Sequence, residues 1–254
     1  MIRRLLGMTG HVLVRRQDYE RLMAREDHAL YVLHRYRDEA GAFDYQEYRR
    51  VQNEGNRRKI ENVFVREENI AFLADYVQRR LGHVSFGICH GTRRGAEQTW
   101  FRRYLGEGSE VIGTEIADTA PEFPHTTQWD FHDVQDAWIG AADFIYSNSL
   151  DHSYDPARAL NAWMRCLKPS GLCLLEHTNA HLPDNSSARD PFGARLEVMP
   201  YLIAMWGRGS FAVSEILKAP ASYSRDSSTA VLVLEPRRPA LADGAAVRPL
   251  EAAR

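Results

Sequence analysis

The sequence has little cysteine: 254 residues contain three, Cys89, Cys166 and Cys173. So sparse and odd a set offers no disulfide framework, and reduced thiols in a cytosolic protein are the simplest reading. Long hydrophobic runs are missing as well. No stretch approaches the ~20 apolar residues that a membrane span needs. The basic and apolar N-terminus is broken by Gly7, Thr9, Gly10 and His11, and no small-residue cleavage site follows. Neither an anchor nor a leader is expected. An excess of one charge is absent too. Lys and Arg number 32 and Asp and Glu 34, a net charge of -2. That balance argues against a protein that lives by gripping nucleic acid. Arg3, Arg4, Arg15 and Arg16 form a local basic cluster, read as a solvated helix face.

What is present suits one large domain. The hydrophobic share of 44% is enough for a sizeable core. Three zones follow one another. Residues 1–81 are polar, rich in Arg and Glu, and nearly free of strand patterns, so they are expected to form a helical extension or cap. Tyr31, Leu33 and Tyr36, then Tyr45, Tyr48 and Val51, recur at helix-like spacing. Ile70, Phe72, Leu73, Tyr76, Val77 and Leu81 make an apolar helix face, stopped by Gly82. Residues 82–236 then alternate short apolar runs with helical segments. Strands are expected over 84–88, 110–116 and 142–147, near 129–131, and over 172–176, 211–217 and 230–235. Helices are expected over 95–105, 156–167 and 196–206, with a turn at Lys168 to Gly171 and a loop over 181–195. Such alternation predicts a doubly wound, mostly parallel α/β sheet covered on both faces. Residues 237–254, mostly Pro, Ala and Arg, read as a disordered tail.

Several segments can carry chemistry. Val84 to Gln98 holds Gly87, Gly91 and Gly95 between a strand and a helix, where backbone can approach a ligand and free N–H groups are offered. An ordinary tight turn uses glycine in the same way. Glu115 closes the next strand, the place of an acid that accepts from both ribose hydroxyls. Asp130 and Phe131 follow the third strand; the acid suits an exocyclic amine and the ring suits a flat base. The fourth strand delivers Ser147, Asn148 and Ser149, then Asp151 and His152. The fifth ends at Glu176 and His177. Histidine titrates near neutrality and suits general-base work, although a lone histidine is more often structural.

From Val84 to Thr178, a little over a third of the chain, the sequence resembles class I S-adenosylmethionine-dependent methyltransferases. Cys89 and Gly91 stand at the first two glycines of the family's first motif and Arg93 at the third. Glu115 matches the ribose acid and Asp130 the adenine-contacting acid. The segment Ser147 to His152 looks like the family's post-fourth-strand segment. The stretch Leu167 to Thr178 looks like its fifth-strand motif. The resemblance implies a seven-stranded Rossmann-like sheet whose last strand is antiparallel, and S-adenosylmethionine as cofactor. Gly87, Cys89, Gly91, Arg93, Glu115, Asp130, Phe131, Ser147 and Asn148 are its expected contacts. The sequence departs from the pattern where Gly87 replaces the acid that usually closes the first strand, so an expected partner of the methionine amine is lost. Arg93 or Arg94 is a candidate partner for the methionine carboxylate.

The expected activity is methylation of an oxygen on a small molecule or glycan, by a soluble enzyme compatible with a homodimer. His152 is the first candidate base, oriented by Asp151 or Glu176, and His177 the second. A divalent metal is not expected to be needed, but Asp151, His177 and His181, with Asp184, are candidate ligands for one. The loop from Asp190 to Ala194 and the N-terminal helices, through Tyr45 and Tyr48, are candidates for an acceptor lid. Two other classes stay open: an NAD-dependent oxidoreductase, and a non-catalytic methyltransferase-like partner subunit.

Overall fold

Alternating apolar runs become a seven-stranded sheet whose central strands are buried on both faces. The computed structural model describes residues 29–222 and 228–237. The N-terminal basic cluster and nearly all of the C-terminal tail lie outside them. In chain order the elements are β1 (Tyr31–Leu33), α1 (Tyr45–Arg58), α2 (Glu67–Leu81), β2 (Phe86–His90), α3 (Ala96–Leu105), β3 (Glu110–Glu115), β4 (Thr126–Gln128), β5 (Ala142–Ser147), α4 (Pro156–Cys166), β6 (Leu167–His177), β7 (Phe192–Ala194), α5 (Met199–Gly207), β8 (Phe211–Lys218) and β9 (Ala230–Pro236). The sheet order is β4-β3-β2-β5-β6-β9-β8. Strands β2 to β6 pair in parallel, while β9 runs antiparallel to both β6 and β8. The expected doubly wound sheet with an antiparallel last strand is therefore present.

Two cores flank the sheet. On one face Ile88, Ile145 and Leu175 pack with Leu160 and Trp163 of α4 and Ile203 of α5. On the other, Cys89, Phe144 and Leu174 pack with Ile70 and Leu73 of α2 and Phe101 of α3. Burial of this kind contributes roughly 1.5–3 kcal/mol per large apolar side chain, before entropy is subtracted. Asp143, at the opposite edge from the strand ends that matter below, accepts from the backbone N–H of Ser85 and Phe86 and pairs with Lys168 at 2.6 Å. Among the described residues no helix is long and apolar enough to cross a membrane.

Three local expectations are corrected. Tyr31 to Leu33 is not helical: it is a strand paired antiparallel with β7, so Tyr31 lies opposite Ala194 and Leu33 opposite Phe192. Only the distant partner decides this, since three residues carry no usable period. The loop over 181–195 thereby gains a strand. The turn expected at Lys168 to Gly171 is absorbed into β6, where the ladder partners jump from Leu167 to Leu172 in an irregular register against β5.

Candidate functional site

Strands β2, β3, β5 and β6 deliver their loops to one edge of the sheet, where ligands of such folds collect. The turn after β2 is held by its neighbour: the N–H groups of Gly91 and Thr92 both donate to the Thr114 carbonyl at 2.9 and 3.1 Å. Gly91, Arg93 and Gly95 all have positive φ, at 74°, 45° and 79°. Arg93 thus keeps the left-handed backbone that suits glycine, at some cost in strain. Glu115 locks it there. One carboxylate oxygen accepts from the Arg93 N–H and the other from the Ala117 N–H, each at 3.0 Å. Gly91 is required for packing, because a Cβ there would lie 2.6 Å from Ser149 Cβ.

A groove opens above this turn. Its larger part has a volume of about 440 Å³ and is lined by Arg93, Glu97, Asp151, His152, Glu176 and His181 among others. A narrow extension of about 40 Å³ runs over Glu115, Ile116, Asp130 and Phe131, beneath Tyr48, Gln52 and Asn56 of α1. Lys59, Gly91, Arg93, Ser149 and His152 line both parts. Helix α1 starts at Asp44, whose side chain accepts from the Glu47 N–H. It roofs the narrow end.

His152 is fixed in one tautomer. Its Nδ1 lies 3.0 Å from the Arg189 carbonyl and 3.1 Å from Gln52 Oε1. Gln52 is oriented in turn, since its Nε2 donates to the same carbonyl. Both neighbours of Nδ1 only accept, so Nδ1 carries the proton. Nε2 has no partner among the described residues and is left to accept. His181 is fixed differently: its Nδ1 accepts from the Thr178 N–H, and its Nε2 stands 3.9 Å from Asp151.

His177, expected as a second base and a candidate metal ligand, is set apart from the larger part of the groove. It is buried, its Nε2 donates to the Ala194 carbonyl, and it does not line the larger part of the groove. Burial pushes its pKa down to about 4, with His181 adding to the effect, so it stays neutral. The grouping of ligand-type atoms among the described residues is instead Asp151, His152 and Asp190, within 4.8 Å of one another.

Three expected cofactor contacts do not line the groove. Gly87 lies inside β2, and a Cβ there would overlap the Phe144 ring. Packing, and not a ligand, excludes the acid. Cys89 is fully buried in the core beneath the turn. The Ser147 hydroxyl is buried, donating to the His90 carbonyl and accepting from the Ser149 N–H. Gly91, Arg93, Glu115, Asp130, Phe131 and Asn148 do line the groove. Asp130, however, is largely spoken for. One oxygen accepts from the N–H and Nδ1 of His132, and the other from Tyr45 Oη at 2.9 Å. Burial alone would raise this carboxyl, but those hydrogen bonds outweigh it and hold it below the ordinary range.

Sequence reasoning passed over Glu97. It is buried in the first turn of α3, and its Oε2 has no partner among the described residues. Burial raises its pKa to about 8. Glu176, which accepts from Tyr146 Oη, is raised by burial to about 7. An acid in a helix first turn ordinarily reads as a complement to the helix dipole, so nothing in the sequence set Glu97 apart.

No family model and no curated protein matches the sequence. Solved structures do match the fold. A 1,6-didemethyltoxoflavin N1-methyltransferase of Burkholderia thailandensis, with that substrate and S-adenosylhomocysteine bound, is 12% identical. The match covers 84% of this chain and 99% of the other, with a TM-score of 0.59. The N-methyltransferase NodS of Bradyrhizobium japonicum, in complex with S-adenosylhomocysteine, is 13% identical over 74% of this chain and 99% of its own, with a TM-score of 0.53. The fold is that of the class I methyltransferases. The mitomycin 7-O-methyltransferase MmcR shares it at 12% identity and a TM-score of 0.51, over 67% of this chain and 54% of its own. In this methyltransferase fold the groove described above lies at the carboxyl edge of the sheet.

Proposed function

We propose that the protein transfers a methyl group from S-adenosylmethionine to a hydroxyl of a small molecule or sugar unit. One observation carries the reading. Buried polar atoms are normally paired, yet Thr92 Oγ1, Arg93 Nε, Glu97 Oε2 and Asp151 Oδ1 are all buried without a partner among the described residues, and all four residues line the same cavity. Four such atoms on residues around one cavity suit a polar ligand.

The residues suit this cofactor. Each oxygen of Glu115 accepts one backbone N–H and keeps capacity for a ribose hydroxyl. Ile116 and Phe131 give apolar walls to the narrow end, and Asn148 and Arg93 offer donors in the wide one. A volume of about 440 Å³ is in the ordinary range for a small-molecule site. The narrow end is tighter, so a nucleoside there displaces the long side chains of its roof, Gln52, Lys59 and Arg189. When bound, S-adenosylmethionine supplies an activated methyl on a sulfonium. The protein's own work is then to align an acceptor and take its proton. His152 can take that proton at Nε2, because the Arg189 backbone carbonyl, which stays when the roof side chains move, holds Nδ1–H and prevents the other tautomer. Asp190, 3.7 Å from Nδ1, stabilises the imidazolium that forms. Asp151, beside His152 and His181, is placed to hold an acceptor hydroxyl.

The test is calorimetry with S-adenosylmethionine and S-adenosylhomocysteine, with NAD as control. Micromolar binding of the first two supports the reading. Methylation of hydroxyl acceptors should then fall about 100-fold or more in His152→Gln, with cofactor affinity kept. Binding of NAD alone would transfer the site to a nicotinamide oxidoreductase. No binding by folded protein would leave a non-catalytic subunit.

A further inference from the structure

We propose that Glu97 receives the α-ammonium of the cofactor's amino-acid head, across from Arg93, and so replaces the strand-end acid that Gly87 excludes. This rests on the S-adenosylmethionine reading above. The structure supplies four reasons. Glu97 is buried and lines the wide cavity, yet its Oε2 has no partner among the described residues. Arg93 lines the same cavity with its Nε unpartnered and its guanidinium over the Phe64 ring at 4.8 Å. One buried group is thus short of a donor and the other short of an acceptor, which is the complement of a zwitterion. The usual position for the acid is closed, because a side chain at Gly87 would enter the Phe144 ring. Glu176, the other buried acid in the cavity, already accepts from Tyr146 Oη at 2.9 Å.

The charged and titratable groups around Glu97 are few. Arg93 comes from the turn, Glu115 from β3, Cys89 from β2, Tyr146 from β5 and Glu176 from β6. Arg93 is the only cation in that set, which also holds two carboxyl groups beside that of Glu97 itself. An incoming ammonium relieves this imbalance. Burial holds the free Glu97 protonated at neutral pH, at about 8. Binding an ammonium against it therefore sends about one proton to the buffer.

The full chain is titrated with S-adenosylhomocysteine at pH 7 in two buffers of different ionisation enthalpy. The ligands for comparison are its deaminated analogue and 5′-methylthioadenosine, which lacks the amino-acid head. Wild-type protein should release about one proton with S-adenosylhomocysteine and none with the other two. It should bind the deaminated analogue about 10- to 100-fold more weakly, the range of a charge-assisted hydrogen bond. Glu97→Gln should weaken S-adenosylhomocysteine by a similar factor, abolish the proton release, and leave methylthioadenosine within about twofold. Glu176→Gln should leave the release in place. Equal binding of the deaminated analogue by wild-type protein would overturn the proposal while the cofactor reading stands, and needs no variant to fold. So would parallel weakening of both natural ligands by Glu97→Gln. Failure of wild-type protein to bind any of the three would remove the cofactor reading itself.

Discussion

The two ends of the groove use their acids differently. At the wide end Thr92, Arg93, Glu97 and Asp151 keep buried polar atoms without partners among the described residues. At the narrow end each oxygen of Asp130 is engaged, one by His132 and the other by Tyr45, and the space left is about 40 Å³. An acid matched to a family motif, Asp130, can therefore serve the fold, while Glu97, matched to nothing, keeps one buried oxygen without a partner among the described residues. Whether a polar group already has its partner says more about function than its place in a motif does.

Restoring the family's acid should break the molecule. Gly87→Asp drives a side chain into the Phe144 ring and buries an unpaired charge. About 3 kcal/mol or more of stability should go, a Tm drop of roughly 6–12 °C. A stable Gly87→Asp that binds S-adenosylhomocysteine more tightly would erase the reason for assigning Glu97. Glu115→Ala removes the bonds that lock Arg93 and Ala117 as well as a ribose acceptor. Affinity for S-adenosylhomocysteine should fall about 30-fold, or ~2 kcal/mol; an unchanged calorimetric Kd would detach the narrow end from cofactor binding. Tyr45→Phe deletes one hydrogen bond to Asp130. Stability should drop by about 1–2 kcal/mol in urea titration, with cofactor affinity within about threefold. A large gain or loss in affinity would show that Asp130 serves the ligand after all.

The smallest effect is a drift with pH. Between pH 6.5 and 8.5 the folded chain still holds protons on Glu176 and Glu97, whose pKa values burial raises to about 7 and 8. The unfolded chain, with glutamates near ~4.3, has already lost them. The unfolded state binds fewer protons, so stability falls as pH rises through this window. Buried His90 and His177, lowered to about 3 and 4, act in the opposite sense. Their contribution is complete above the ordinary imidazole value of ~6.5. The urea midpoint should fall from pH 6.5 to 8.5, and Glu97→Gln should flatten the upper half. A midpoint that rises would mean that neither acid is protonated in the folded protein.

Much of the architecture was legible because it rests on local periodicity. The face from Ile70 to Leu81, the run from Ala142 to Ser147 and Pro156 at a helix start each announce an element without help from elsewhere. Tyr31 to Leu33 did not, because a three-residue strand exists only when Phe192 to Ala194 lies beside it. The site divides in the same way. Gly91 and Glu115 were legible from a turn and a strand end. His152 and His177 looked alike, each placed just beyond an apolar strand. They part company only in three dimensions, where His177 Nε2 is taken by the Ala194 carbonyl and His152 Nε2 is left bare.

The sequence by itself determined the sheet, its order of strands and helices, and the edge where ligands gather, since apolar spacing and turn chemistry act over a few residues. Tertiary structure alone decided which polar groups are free. Whether Asp130 meets Tyr45, or Glu97 Oε2 is left without a partner among the described residues, depends on residues far apart in the chain being brought together, and a buried group's chemistry is set by the partners it finds there.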